Sequence, residues 1–189
     1  MIDYLKNIDE TLFLFLNGLH NDVFDFLMHW ITYQQTWYPF YLLIVIWMFW
    51  KYKQKAIIPI LFIIIAITIS DQFTSSFMKP FFERLRPCHD PSISDLVHVV
   101  DGCGGLYGFA SSHASNSFAL ATLLYMFFRS EFKYTSILFV WAALVAYSRI
   151  YVGVHFPGDI IVGGLIGYLV GLILFVIYSK LPSKYQLTG

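Results

Sequence analysis

Charge is what this chain has least of. Asp, Glu, Lys and Arg make up only 13% of its 189 residues, and the 12 basic residues balance the 12 acidic ones to a formal net charge of zero. An ordinary soluble domain carries about 25% charged residues. So little charge is a poor match for a chain that must cover itself in water, and a balance of zero argues against a nucleic-acid partner. Cysteine is nearly absent as well. Cys88 and Cys103 are the only two, too far apart in sequence to form the Cys-x-x-Cys pair of a zinc site. The sequence also has no glycine-rich phosphate loop, no low-complexity tract and no convincing internal repeat. Nothing divides it, and 1–189 reads as a single domain.

What is present is apolar surface. Hydrophobic residues reach 58% and aromatic residues 20%. They fall in long runs rather than amphipathic stripes, the pattern of an all-α polytopic membrane protein. Residues 1–20 differ: Leu5, Ile8, Leu12, Phe15, Leu16 and Leu19 recur at helical spacing among Asp3, Lys6, Asn7, Asp9 and Glu10. That mixture predicts an interfacial helix lying on the membrane. Its acidic residues, with no small-residue cleavage site behind them, argue against a signal peptide.

Six spans are expected. The first ends with the short apolar stretch 22–32 and has no clear start; the others cover 37–50, 56–78, 114–128, 134–152 and 160–178. Trp and Tyr gather near the span ends as interface belts. Asp71, between Ser70 and Gln72, is either a lip residue or an intramembrane carboxylate with a partner. On the last span Gly163, Gly167 and Gly171 lie four apart, a small-residue face for close helix packing within the chain or between copies.

Alternation of six spans puts three polar clusters on one side: the loop 79–110, the residues just before the 114–128 run, and the turn 149–159. Lys51, Lys53, Lys55, Arg129, Lys133, Lys180, Lys184 and the early Lys6 fall on the other side. By the positive-inside rule the clusters face away from the cytoplasm.

Each cluster has a chemical and a bland reading. Lys79 and Arg86 are seven apart, about two turns. A short helix opened by Pro80 and ended by Pro87 would show both cations on one face, to a doubly charged phosphate or to lipid headgroups. Ser111 and Ser112 stand where a helix N-cap is needed, with His113 in the first turn. Free N–H groups there suit an anion and the imidazole suits proton donation; a cap with an interfacial histidine is the plainer reading. In the third cluster Pro157 starts a helix, so Asp159 lies in the first turn and His155 just outside it. A carboxylate there fixes the imidazole tautomer and frees the other nitrogen as a base or nucleophile, while Arg149 offers a fork of donors. The alternative is a buried Arg–Asp pair with a capping histidine.

Lys79 to Arg86-Pro87, then Ser111 to His113, then Ser148-Arg149 to His155 and Asp159 occur in that order and, by the expected topology, on one face. The set resembles the type 2 phosphatidic acid phosphatase superfamily over about residues 70–165. The middle motif departs from the family's Pro-Ser-Gly-His, with Ala110 and Ser112 in place of its proline and glycine.

The resemblance implies a six-span lipid phosphatase with the loop 79–110 as its outer active-site loop. It implies His155 as the nucleophile that becomes a phosphohistidine, Asp159 as its orienting partner and His113 as general acid. Lys79, Arg86 and Arg149 would cage the phosphoryl oxygens, helped by Ser111, Ser112 and the amides around them. Three fixed cations can replace a metal ion in stabilising transferred phosphate, so no metal or other cofactor is expected. Cys88 and Cys103 both fall in the outer loop and are a candidate disulfide, with two free thiols as the alternative.

The expected protein is a hydrolase of the bacterial inner membrane whose site faces the periplasm or exterior. Its partners would be the bilayer and a lipid phosphate, with no obligate protein partner. Undecaprenyl diphosphate is the first substrate expected. Phosphatidylglycerol phosphate, phosphatidic acid and the phosphates of lipid A follow. A lipid phosphotransferase and a non-enzymatic lipid-binding protein are the readings from other classes.

Overall fold

The computed structural model describes residues 2–187, with side-chain detail from Tyr4 onward. The described residues are helical with no named strand. The main elements are α1 (Ile2–Asn17), α2 (Asp22–Thr32), α3 (Tyr38–Tyr52), α4 (Ile57–Gln72), α5 (Lys79–Phe82), α6 (Ser112–Phe128), α7 (Ile137–Tyr151) and α8 (Pro157–Ser179). A π-helical stretch, Phe73–Met78, joins α4 to α5.

Two stretches are long and apolar enough to cross a bilayer, Gln34–Phe82 and Pro157–Ser179. The first folds back on itself at Lys53, whose φ of 52° breaks the helix between α3 and α4. Five rods therefore run between two ends: α3, α4 with α5, α6, α7 and α8. Their outer faces remain apolar. Leu42, Leu43 and Ile46 of α3, Leu61 and Ile64 of α4, Val140 of α7 and Ile161, Leu165 and Ile173 of α8 are all exposed. Such a girdle is stable against lipid and costly against water.

α6 lies at the centre. Ala114, Ala119, Ala121, Leu123 and Thr122 are fully buried along it. α8 packs on it through the glycine face: a Cβ added at Gly167 would collide with the Ser115 carbonyl, and one at Gly163 with that of Ser111. The glycine stripe is therefore used inside the chain. Toward one end Leu120, Leu124, Phe127 and Phe128 meet Met48, Leu174 and Tyr178 in the largest core cluster. That end is closed by Glu131, which pairs with Lys51 and accepts from the Tyr52 hydroxyl at 2.7 Å.

The opposite end carries the polar loops, and α1 and α2 both belong to it. Asp9 of α1 accepts from Gly158 N–H at 2.7 Å. Asn17 donates to the carbonyls of His98 and Tyr151 at 2.9 and 2.8 Å. In α2, Asp25 meets His98 at 3.0 Å and the Tyr151 hydroxyl at 2.7 Å, while Thr32 meets Arg149 at 2.6 Å. A helix tied to this end at both of its termini does not cross, and its 11 residues reach only about 16 Å.

The first of the six expected spans is therefore corrected. The stretch 22–32 is a short helix at the polar end, and Lys6 lies at that end too, paired with Glu10 at 3.4 Å. The charge asymmetry survives this correction. Lys51, Lys53, Lys55, Arg129, Lys133, Lys180 and Lys184 still lie toward the far end, against Lys6 and the cations of the polar clusters. Exposed Tyr4, Leu5, Ile8, Leu12 and Phe15 give α1 the apolar face expected of an interfacial helix.

Candidate active site

The last cluster is built as its sequence suggests. α8 begins at Pro157, and Phe156 in extended conformation precedes it. Asp159 is completely buried and His155 almost so. One carboxylate oxygen, Oδ2, accepts from His155 Nδ1 at 3.2 Å and from Phe156 N–H at 3.1 Å. With its proton on Nδ1, the imidazole keeps the Nε2 lone pair free. Gly153, at φ +83°, turns the chain from α7 into this loop; a side chain there would also strike the His98 carbonyl. The loop is secured by Val154 N–H and His155 N–H, which both donate to the Arg149 carbonyl, at 3.1 and 3.2 Å.

The other Asp159 oxygen, Oδ1, accepts from Arg84 at 2.8 Å. Arg84 also donates to Asp9 Oδ2 at 2.6 Å and lies over the Phe156 ring, 4.2 Å from its centroid. The sequence pattern gives Arg84 no role and makes Asp9 one polar residue of an amphipathic helix. Nothing in local periodicity reports a contact across 75 positions.

The first cluster departs from expectation. α5 has only four residues and ends at Glu83 in the left-handed conformation. Lys79 and Arg86 are therefore not on one helix face. They meet because the chain beyond Glu83 runs extended and pairs with the loop, Leu85 bridging to Tyr107. Arg86 is then anchored by two carbonyls: Nη1 donates to Cys103 at 2.7 Å and Nε to Tyr107 at 3.3 Å. Burial is the main influence lowering its pKa, partly offset by Asp159. Cys88 and Cys103 are paired in the structure with Cα atoms 5.9 Å apart.

Around the middle cluster, Ser111 is the N-cap of α6, and its hydroxyl accepts from Ala114 N–H at 3.5 Å. Its own N–H donates to the Asp159 carbonyl at 3.1 Å. Ser111 thus ties α6 to α8 and is fully buried, beside the residues that line the cavity. Ser112 does line the cavity, and its hydroxyl meets that of Thr74 at 2.9 Å.

Lys79, Arg86, Ser112, His113, Arg149 and His155 line one cavity of about 690 Å³ that runs down between α3, α4 and α6. Arg149 Nη1 is held by Thr32, while its buried Nε has no partner among the described residues. His155 has its pKa pushed well below the ordinary imidazole range, first by burial and then by the charges of Arg149, Arg86, Lys79 and Arg84. A neutral, oriented imidazole thus faces three cations across one cavity. That arrangement can receive a phosphoryl group, stabilise its oxygens and offer it a nucleophile. Among the described residues, the one close group of metal-type donors is Cys88, His89 and Cys103, within 4.8 Å of one another. The pairing of the two cysteines leaves no thiolate pair for an ion.

Residues 60–183 match the PAP2 superfamily. The lipid A 4′-phosphatase of Bacteroides thetaiotaomicron is 39% identical, across 98% of this chain and 84% of that protein. The lipid A 4′-phosphatase of Porphyromonas gingivalis is 38% identical, across 97% and 78%. Among solved structures, a transmembrane PAP2-type phosphatidylglycerolphosphate phosphatase from Bacillus subtilis shares the fold with a TM-score of 0.76. It is 21% identical and the match covers 95% of this chain and 88% of that one.

Proposed function

The chain belongs to the PAP2 superfamily, as one of its membrane lipid phosphatases, and on that premise we propose that it removes the phosphate monoester of a lipid A-type glycolipid. The buried His155–Asp159 pair facing Lys79, Arg86, Arg149 and His113 across one cavity carries the phosphatase chemistry. Two relatives of that name, alike over nearly the whole chain, support the substrate class.

In the proposed reaction the phosphate enters with its oxygens toward Lys79, Arg86 and Arg149. His155 Nε2 forms a bond to phosphorus as the bond to the ester oxygen breaks. His113 gives its proton to that oxygen, which leaves as the lipid hydroxyl. Water then attacks the phosphohistidine, His113 takes the proton, the N–P bond breaks and phosphate departs. Positioning and charge carry the reaction, and the three cations neutralise the equatorial oxygens without a metal ion.

Five crossings fit the five rods, with α1 and α2 in the outer interface. The excess of lysine and arginine at the far end supports a cytoplasmic location for that end, and with it a cavity open to the outer face of the inner membrane. Undecaprenyl diphosphate is the second reading. It would use the same cage and is released on the same face.

Phosphate release in detergent tests the proposal. The panel is lipid A, undecaprenyl diphosphate, phosphatidylglycerol phosphate and phosphatidic acid, with a chelator present and His155→Ala in parallel. The fastest release is expected from lipid A, insensitive to the chelator and lost in the variant. Release dependent on added metal contradicts the mechanism. Preference for undecaprenyl diphosphate moves the assignment to the second reading, and phosphate passed to a second lipid instead of water makes the protein a transferase.

A further inference from the structure

Below the phosphate cage the cavity has a second polar patch that the reaction above does not use. Asn116 follows His113 by three residues on α6, so it lies on nearly the same face, about 4.5 Å further along the axis. It lines the cavity together with Asp71 of α4. Asn116 Nδ2 donates to Asp71 Oδ1 at 3.1 Å. Its carbonyl oxygen, Oδ1, is buried and has no donor among the described residues. The second Asp71 oxygen receives only a long contact from the Ser75 hydroxyl, 3.4 Å, and Ser75 makes its shorter bond, 2.6 Å, to the Asp71 backbone carbonyl.

Asn116 Oδ1 is thus a buried acceptor without a donor, and Asp71 Oδ2 is a half-buried one with a single long contact, on residues that line one wall. Buried acceptors without donors are costly, and folded proteins keep few of them. The pair's position matters more than its count. The general acid His113 marks where the ester oxygen leaves, so a group one turn beyond it meets the part of the substrate next to that oxygen.

We propose that Asp71 and Asn116 form a recognition subsite for hydrogen-bond donors on the leaving group, the hydroxyl or amide N–H groups of a phosphorylated sugar. This rests on the phosphatase reading above and deepens it. The subsite discriminates in both directions. A sugar with donors close to the ester oxygen supplies what Asp71 Oδ2 lacks in the cavity, and what Asn116 Oδ1 lacks once its amide turns toward the bound sugar. A diphosphate places a second anion beside the Asp71 carboxylate, where both acceptors and charge oppose it, and an alkyl or diacylglycerol leaving group offers few donors or none.

The test has two arms. In the first, Asp71→Ala and Asn116→Ala are assayed on lipid A and on phosphatidic acid, and the ratio of the two kcat/KM values is read. Each substitution should lower the lipid A to phosphatidic acid ratio about 10-fold or more, the loss typical of a hydrogen bond to a buried or charged acceptor. An unchanged ratio, including one in which both activities fall together, overturns the subsite and makes the pair a structural tie. In the second, the unsubstituted protein hydrolyses phosphatidic acid against two soluble competitors, N-acetylglucosamine 4-phosphate and cyclohexyl phosphate. The sugar phosphate should inhibit at a concentration about 10-fold or more below the ring without donors. Equal inhibition overturns the proposal, and this arm decides it even if neither variant folds. A wild type that cleaves phosphatidic acid but not lipid A undoes the substrate reading, while the competitor arm still reports on the subsite alone.

Discussion

Arg84 holds Asp159 from behind, donating from Nη1 to Oδ1 at 2.8 Å on the side opposite His155. Its other terminal nitrogen is bound to Asp9, so helix α1, the guanidinium and the carboxylate that orients His155 form one connected chain. Asp159 is fully buried, and a carboxylate in that position needs a counter-charge to remain ionised.

Removing Arg84 should therefore harm both fold and reaction. Arg84→Ala leaves a buried charge unpaired, and breaking such pairs costs about 3–5 kcal/mol. kcat/KM on any accepted lipid phosphate should fall by about 100-fold or more, with a lower Tm. Asp9→Ala removes one partner of Arg84 and the acceptor of Gly158 N–H, and a drop of about 10-fold is expected. Kinetics and thermal unfolding in detergent check both. Arg84→Ala within twofold of wild type would show that Asp159 orients His155 without help.

Much of this site is legible in the sequence because its chemistry is local. Pro157, Asp159 and His155 are fixed by the start of one helix, and their spacing alone places them correctly. Ser111 is legible as a cap, but the spacing does not tell that its N–H also ties α6 to the Asp159 carbonyl. The relation of Lys79 to Arg86 is misread by periodicity, which assumes a helix that Glu83 ends after one turn. Arg84, Asp9, Thr32 and Asn116 owe their places to contacts between distant segments, which no local period encodes. The stretch 22–32 shows the same limit. It is apolar enough to suggest a span, yet Asp25 and Thr32 are claimed by Tyr151, His98 and Arg149 at the polar end. Its length is the better guide.

The depressed pKa of His155 gives activity a definite pH dependence. Burial and then Arg149, Arg86, Lys79 and Arg84 disfavour its protonated form. A base with a lowered pKa stays neutral to lower pH, so the acid limb of kcat/KM should fall below pH ~6.5, the ordinary imidazole value. Stability follows the same sign. The His155 contribution is full above ~6.5 and is lost as pH drops below, because the unfolded chain binds a proton that folded His155 refuses. An acid limb centred above ~6.5 would contradict this environment.

The junction of α6 and α8 should tolerate almost no added volume. A Cβ at Gly167 meets the Ser115 carbonyl, which belongs to a helix backbone and cannot swing aside. Gly167→Ala should lower Tm measurably and Gly167→Leu should abolish folded protein, as overpacking costs about 1–3 kcal/mol or more. Because Ser111 and Asp159 lie at the top of this junction, Gly167→Ala should also slow turnover. Size-exclusion profile and Tm provide the check, and an unaltered Tm would mean that the helices are less closely packed than found.

The Cys88–Cys103 pair closes a sequence separation of 15 in the loop that carries the Arg86 anchor. Closure of such a loop is worth about 3 kcal/mol in the chain-entropy view. The double variant Cys88→Ser with Cys103→Ser should lower Tm and raise KM more than it lowers kcat, since Arg86 binds rather than reacts. A selective loss of kcat would instead tie the loop to the chemical step.

The central claim is that phosphate passes through His155. The direct measurement is to mix the protein with a phosphorus-labelled lipid phosphate in chelator, quench in base within one turnover, and map the label. The account predicts an acid-labile, base-stable phosphoryl group on the peptide carrying His155, absent in His155→Ala and accumulating in His113→Ala with a substrate whose leaving group needs no proton. Steady phosphate release with no label on His155 at any time, or release that the chelator abolishes, would contradict it.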